Sequence, residues 1–359
     1  VGQNLIALRS VVVGGGVRRV QIDAPIGFAP SHGLSHRRRQ AGPRQILDTL
    51  MHIRVNFPHL TSVSLVNGNL RGFTFYASDE HSRFTLFPEN LRHLSMENSE
   101  GLDDDQVKAL CAELPRLRHM DLSKCFELSN QILRYLPTTL TILNLCGVHD
   151  INANALRLLP HLKNLEILDL KACWRLGSLY SQQNPFTSSG PYYSYFPSSP
   201  SIATYSAFAY LQSLPRLHTL SLSRIYCLAD NDIAVLPRRL KVLDVSFCFH
   251  ISDYVYPMLP AGLTELYCQG CDLITFDTWD SASEDGLTVL RGEEGSTSSS
   301  SSAEGEGEGH SLEDAKAHAR PEVAWIGRTR SRDGAARTKR PKLRIVRGEW
   351  SLPERCCVP

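Results

Sequence analysis

With 359 residues, a formal net charge of +1 and 42% apolar residues, the chain has material for one long domain or two ordinary ones, and no overall pull toward nucleic acid or acidic membranes. No apolar run approaches the ~18–20 residues that a membrane-spanning helix needs. The first residue is Val1 rather than Met, so the lack of a leader-like segment says nothing about compartment.

In chain order, Gly14, Gly15 and Gly16 read as a turn; no Gly-Lys-Ser/Thr follows to make a phosphate cradle. Val17, Val20 and Ile22 then open a spacing that governs most of the chain. After a basic stretch at residues 36–39, read as solvated loop, and a helical pattern at residues 45–57, it returns at Leu60–Val63–Leu65 and Leu91–Leu94–Met96. Further copies are Leu117–Met120–Leu122, Leu140–Leu143–Leu145 and Leu165–Leu168–Leu170, then Leu217–Leu220–Leu222, Leu240–Leu243–Val245 and Leu263–Leu266–Cys268. Leu117, Leu140 and Leu165 stand 23 and 25 residues apart, and Leu217, Leu240 and Leu263 stand 23 apart. These intervals lie in the ~20–29-residue range of leucine-rich repeats.

Other positions keep the same register. Leu-Pro pairs precede most strands, as at Leu114–Pro115, Leu136–Pro137 and Leu236–Pro237, and proline stops the preceding helical segment. Polar steps follow the strands at Ser129–Asn130, Asn152, Asp230 and Ser252–Asp253, where short side chains cap the next helical turn. The expected unit is therefore strand, turn, capped short helix and proline stop. One unit cannot bury its own apolar side, so neighbours must stack on a shared core. Cys125, Cys173, Cys248 and Cys271 each fall eight residues after the first Leu of their strand, at the small buried turn position of the repeat. Cys268-x-x-Cys271 has metal or redox spacing, but the repeat accounts for both residues and no second such pair exists. Reduced thiols suit the cytoplasm or nucleus.

The cysteine-containing segments, Leu117-RHMDLSK-Cys125-FELSNQ and Leu240-KVLDVSF-Cys248-FHISD, resemble the leucine-rich repeats of F-box proteins and their relatives. The resemblance covers roughly residues 60–279. It implies an α/β solenoid, a horseshoe with a concave parallel sheet and helices or turns on the convex side. In F-box members the repeats hold a substrate while a separate F-box binds the Skp1 adaptor of a cullin ubiquitin ligase. No F-box is recognised here; residues 45–57 read as the convex helix before the strand at Leu60.

Residues 1–59 are thus expected to form an irregular capping region, and 60–279 the solenoid, with an insertion at about 177–205. Pro, Ser and Gly in that insertion argue against regular structure, and its tyrosines are read as an edge loop that the repeats tolerate. Residues 280–359, rich in Ser, Gly and Glu and then basic, are expected to be a disordered tail. Within it Lys339, Arg340 and Lys342 fit a short nuclear-import pattern.

Alternation along each strand sends the leucines inward and the residues between them to the concave face. Expected partner-binding residues are His93, Glu97, His119, Asp121, Asn144, Asp169, Lys171, Asp244 and Tyr267, with an apolar centre at Ile142, Ile167 and Val242. His93 and His119 should be neighbours, but an open sheet offers no enclosing pocket for acid–base or metal chemistry. The expected function is a non-enzymatic scaffold for a protein partner, without cofactor, metal or small-molecule substrate and with no role on nucleic acid or membranes. The alternative is a ubiquitin-ligase substrate receptor, which needs an F-box upstream of Val1 to reach Skp1 and cullin.

Overall fold

The computed structural model of the protein describes residues 7–13, 16–23, 43–73, 76–79, 82–177, 206–275, 288–291, 343–347 and 350–351. The chain divides into two units, residues 1–291 with 340–359 and residues 292–339. Every described residue belongs to the first, and no described helix is long and apolar enough to cross a membrane.

The first two strands, β1 (Ala7–Val13) and β2 (Gly16–Asp23), pair antiparallel. The helix α1 (Pro43–Asn56) follows and leads into β3 (Ser62–Val66), which lies parallel to β2 with Val20 opposite Val63. The expected helix at 45–57 and the first repeat strand at Val17–Ile22 are both present. The antiparallel β1 carries no repeat spacing, and the sequence reading did not expect it.

A small hairpin, β4 (Tyr76–Asp79) with β5 (Ser82–Thr85), forms a two-stranded sheet of its own. It lies in the longer interval between the Leu60 and Leu91 repeats. The ladder resumes with β6 (His93–Ser95), which pairs directly with β3.

The helix α2 (Asp104–Glu113) shows how a unit is built. Val107, Leu110 and Cys111 form a buried face at helical spacing, and Leu114 behind them is fully buried. Asp103 caps the helix, accepting the Gln106 N–H at 2.8 Å, while Gln106 Oε1 accepts the Asp103 N–H at 3.0 Å. Asp104 and Asp105 complement the dipole in the first turn, and the helix ends before Pro115.

From here the strands are short and regular: β7 (His119–Asp121), β8 (Ile142–Asn144), β9 (Ile167–Asp169), β10 (Thr219–Ser221), β11 (Val242–Asp244) and β12 (Glu265–Tyr267). All pair parallel with their neighbours in one continuous register. Between them lie α3 (Ala153–Leu156), α4 (Asp230–Ala234) and several 3-10 turns. Ser129, Asn152 and Ser252 cap these segments as expected, accepting from the N–H two residues on. Asp230 does something else: its carboxylate takes the N–H and hydroxyl of Ser252 in the next repeat, at 2.9 and 2.6 Å.

The inward positions form one core. Leu117, Met120, Leu122, Leu140, Leu143 and Leu145 are all fully buried, and the same holds through Leu217, Leu220 and Leu222. The insertion does not break this stack: β9 and β10 pair strand to strand, and the Leu170 N–H reaches Ser221 O at 3.0 Å. Residues 178–205 lie outside the described residues.

Two stretches of the region expected to be a disordered tail form strands instead. Arg344–Arg347 forms a strand, β14, parallel to β12, with Ile345 opposite Leu266 and fully buried; Thr288–Arg291 forms β13 alongside it. The adjacent β-branched residues Ile345 and Val346 supply the strand preference within an otherwise polar region. One sheet thus runs β1-β2-β3-β6-β7-β8-β9-β10-β11-β12-β14-β13. That arrangement is a leucine-rich-repeat fold of the α/β solenoid type.

Candidate functional site: the sheet face opposite the core

The face turned away from the leucines is built by two outward positions per strand and by the turn that follows. In the turn, one device recurs. Asp121, Asn144, Asp169 and Asp244 each accept, through Oδ1 at 2.9 Å, the N–H of the residue two positions on: Ser123, Cys146, Lys171 and Ser246. The next residue adopts a positive φ in every repeat, whether it is Gly147, Gly270, Lys124, Ala172, Arg224 or Phe247. The short acceptor side chain holds the backbone while it takes this left-handed bend. The bend turns the chain away from the sheet and delivers the cysteine to its buried position. There Cys125, Cys173, Cys248 and Cys271 donate to carbonyls of Met96, Leu145, Leu222 and Val245 at 3.1 to 3.3 Å. Cys271 of the C-x-x-C pair is therefore engaged with backbone, and Cys268 fills an inward strand position.

This device revises the place of three expected contact residues. Asn144, Asp169 and Asp244 are buried, at 9%, 6% and 0% exposure, so what they present to a partner is a shaped surface rather than free side chains. Asp121 is half-buried. Burial raises the carboxyl of Asp169 to about 6, and it raises those of Asp121 and Asp244 as well. Asp169 and Asp244 flank Ser221 in register, and the Ser221 hydroxyl donates to Asp244 Oδ2 at 3.4 Å.

Of the other expected residues, His119 is buried as well, at 4% exposure, and the rest remain nearer to solvent. Glu97 is half-buried and pairs with Lys124 at 2.7 Å; Lys171 and Tyr267 are half-buried, and the Tyr267 hydroxyl donates to Glu265 Oε2 at 3.2 Å. His93 and His119 come together as expected, ring centroids 5.9 Å apart. Burial lowers both: His119 falls to about 4, helped by the positive fields of His93 and Arg19. Among the described residues no group of three or more His, Cys, Asp or Glu is gathered for a metal ion. Lys339, Arg340 and Lys342 lie outside the described residues.

Two features escaped the sequence reading. At the centre of the face Ile142 and Ile167 are 7% and 8% exposed, because Trp350 lies against them, with Val242 and Tyr267 packed at the margin. This apolar cluster is separate from the leucine core. Along one lateral edge, the residue after the cysteine-type position is aromatic in successive repeats. Phe126 and His149 approach to 4.8 Å, His149 and Trp174 to 6.1 Å, and Tyr226 stacks on Phe249 at 5.5 Å. Phe126, Tyr226 and Phe249 are about half exposed. Aligning the repeats on their cysteines makes this edge visible in sequence; nothing local would have placed Trp350.

No protein-family model matches the chain, and no curated protein does either. Among solved structures, the chain is similar to Rad7 in its yeast complex with Elc1, at 15% identity and TM-score 0.45 over 69% of this chain and 64% of that one. It is also similar to TLR13 in complex with ssRNA13, at 22% identity and TM-score 0.41 over 68% and 30%. A third likeness is to the leucine-rich repeat-containing protein LegL7 from Legionella pneumophila, at 15% identity and TM-score 0.38 over 64% and 70%. The chain spans less than two thirds of the length of the first two of these structures. Its fold assignment rests on its own period and parallel ladder.

Proposed function

We propose that the protein is a non-enzymatic scaffold that binds a protein partner along the concave side of its solenoid, the sheet face opposite the leucines. The observation that carries this reading is the apolar pair Ile142 and Ile167, set at the centre of a polar face, independent of the fold's own core and covered here by Trp350 of the same chain. An apolar centre ringed by hydrogen-bonding groups is the composition of a protein-binding patch. Glu97, Asp121, Lys171 and Tyr267 stand where a partner would meet charge and hydroxyl groups. Paired histidines held neutral and carboxyls committed to backbone N–H groups serve architecture better than catalysis.

The test is affinity capture of the full-length protein from its own cells, followed by mass spectrometry. Repeating it with Glu97→Arg and Lys171→Glu should cost the captured partner at least tenfold while melting temperature holds. Undiminished capture by both variants would overturn the concave reading.

The cysteines at equivalent repeat positions favour a second reading, because the segments that carry them resemble the repeats of F-box leucine-rich-repeat proteins. On it the protein is a substrate receptor of a ubiquitin ligase working in the cytoplasm or nucleus. Skp1 and a cullin recovered in near-equal amounts would support this reading, and their absence would remove it.

A further inference from the structure

The cluster on the sheet face has an occupant. Ile142 from β8 and Ile167 from β9 would be wetted on an uncovered sheet, and Trp350, itself 7% exposed, dries them. The contact is also polar: the main-chain N–H of Trp350 donates to Asp244 Oδ2 at 3.3 Å. Asp244 is fully buried, and its other oxygen is taken by Ser246. Just before Trp350, β14 adds to the edge of β12, burying Ile345 and bringing the Arg344 guanidinium to 3.8 Å from Glu265. Residues 344–347 are thus held by a strand ladder, and Trp350 by its buried ring and one N–H on a buried carboxylate. Strand addition with a side-chain anchor is a general mode of peptide recognition.

We propose that the edge of β12 and the centre of this face together form a recognition site for an extended peptide segment that adds a strand, sinks an aliphatic residue into the end of the leucine core and sets a tryptophan five residues on against the face, and that Ile345 and Trp350 fill it in cis. The inference rests on the concave face being the partner surface, and it gives that partner a chemistry. A tethered resident competes at an effective concentration on the order of millimolar, so a partner segment must outbid it or wait for its release. The site is therefore closed by its own chain until a better-matched segment arrives.

The probe is a fluorescein-labelled peptide of residues 343–353 of this chain, titrated by fluorescence anisotropy onto three full-length proteins. These are wild type, Trp350→Ala and the double variant Ile345→Asp/Trp350→Ala, each checked by circular dichroism. The single variant keeps β14 and guards against loss of the strand. Peptide affinity should rise from wild type to single to double variant, by at least tenfold overall. Adding Ile167→Asp to the double variant, or replacing the peptide's tryptophan with alanine, should abolish binding. Equal affinity for all three proteins, or no saturable binding to either folded variant, overturns the proposal. A negative peptide result with partner capture still lost in Lys171→Glu removes only this inference. Partner capture that ignores the face removes the scaffold reading itself.

Discussion

His93 and His119 meet edge to face across β6 and β7, their ring planes at 89°. Neither can charge without harm to the other, and burial adds to the penalty, so His119 is held down to about 4 from an ordinary 6.5. Folding then favours the unprotonated ring. A base with a lowered folded pKa binds fewer protons when folded, so its contribution is complete above about pH 6.5 and is lost as pH falls toward 4. The full swing is on the order of 3 kcal/mol. His119→Gln should remove this contribution and leave the opposing slope of Asp169, so that its urea midpoint falls less than that of wild type between pH 7 and pH 4.5, or rises. An unchanged drop would mean that His119 does not titrate in this window.

Asp169 runs the opposite way. Its carboxyl is raised to about 6, first by burial and also by the nearby charge of Asp244. An acid with a raised folded pKa binds more protons when folded, so it costs nothing below about pH 4 and its full penalty appears above about pH 6. Asp169→Asn keeps an oxygen for the Lys171 N–H and removes the charge. It should raise stability at pH 7 by a few kcal/mol at most and leave it unchanged near pH 4. In the wild type the Asp169 and His119 slopes oppose each other between about pH 4 and 6. Each single variant should therefore be more pH-dependent in that window than the parent, His119→Gln losing stability and Asp169→Asn gaining it as pH rises. Chemical denaturation of the three proteins at half-unit intervals checks both signs.

The buried thiols give a chemical readout of the fold. Burial pushes the thiol of Cys125 up to about 12 and that of Cys271 up to about 11, and those of Cys173 and Cys248 rise well above the ordinary value. The thiolate is the nucleophile, so folded protein at pH 8 should alkylate at these positions at least a hundredfold more slowly than protein in urea. Peptide mapping after iodoacetamide treatment measures this site by site. Rapid labelling of Cys271 alone would return the Cys268–Cys271 pair to consideration as a reactive site.

The repeat was legible because stacking imposes it: each unit must bury the same three inward positions against its neighbours, so Leu117–Met120–Leu122 predicts Leu240–Leu243–Val245. The same periodicity placed His93 beside His119 and put Asp121, Asp169 and Asp244 in one row. It could not tell that this row is turned into backbone service, since an aspartate that accepts an N–H two residues on has the same spacing as one that waits for a partner. Trp350 was invisible for a different reason. Its contacts with Asp244 and Ile167 join residues more than a hundred positions apart, and composition argued against any order in the stretch between. The strand β14 carried a local signal, the β-branched pair Ile345–Val346, too short to stand out against a basic, apolar-poor background.

The units are also fastened to one another outside the core, and the fastening should be separable from binding. Asp104 accepts the N–H and hydroxyl of Ser129, Asp230 those of Ser252, and Asp253 those of Thr275, each reaching from one repeat into the next. Removing one such carboxylate leaves a backbone N–H and a hydroxyl to find water at a part-buried boundary, a loss of about 1–2 kcal/mol. Asp230→Ala should lower stability by that amount and Asp230→Asn by less, since the amide oxygen still accepts the Ser252 N–H. Asp104→Ala lies several repeats away, so its effect should add to that of Asp230→Ala within a few tenths of a kcal/mol. None of these carboxylates lies on the sheet face, so partner capture should be unchanged at temperatures where the variants stay folded. Hydrogen exchange resolves the last point: Asp253→Ala should speed exchange in the final repeat around Leu263–Ile274 and leave the Leu117–Leu145 strands as protected as before. Uniform acceleration throughout would mean that the solenoid unfolds as a single cooperative block and not repeat by repeat.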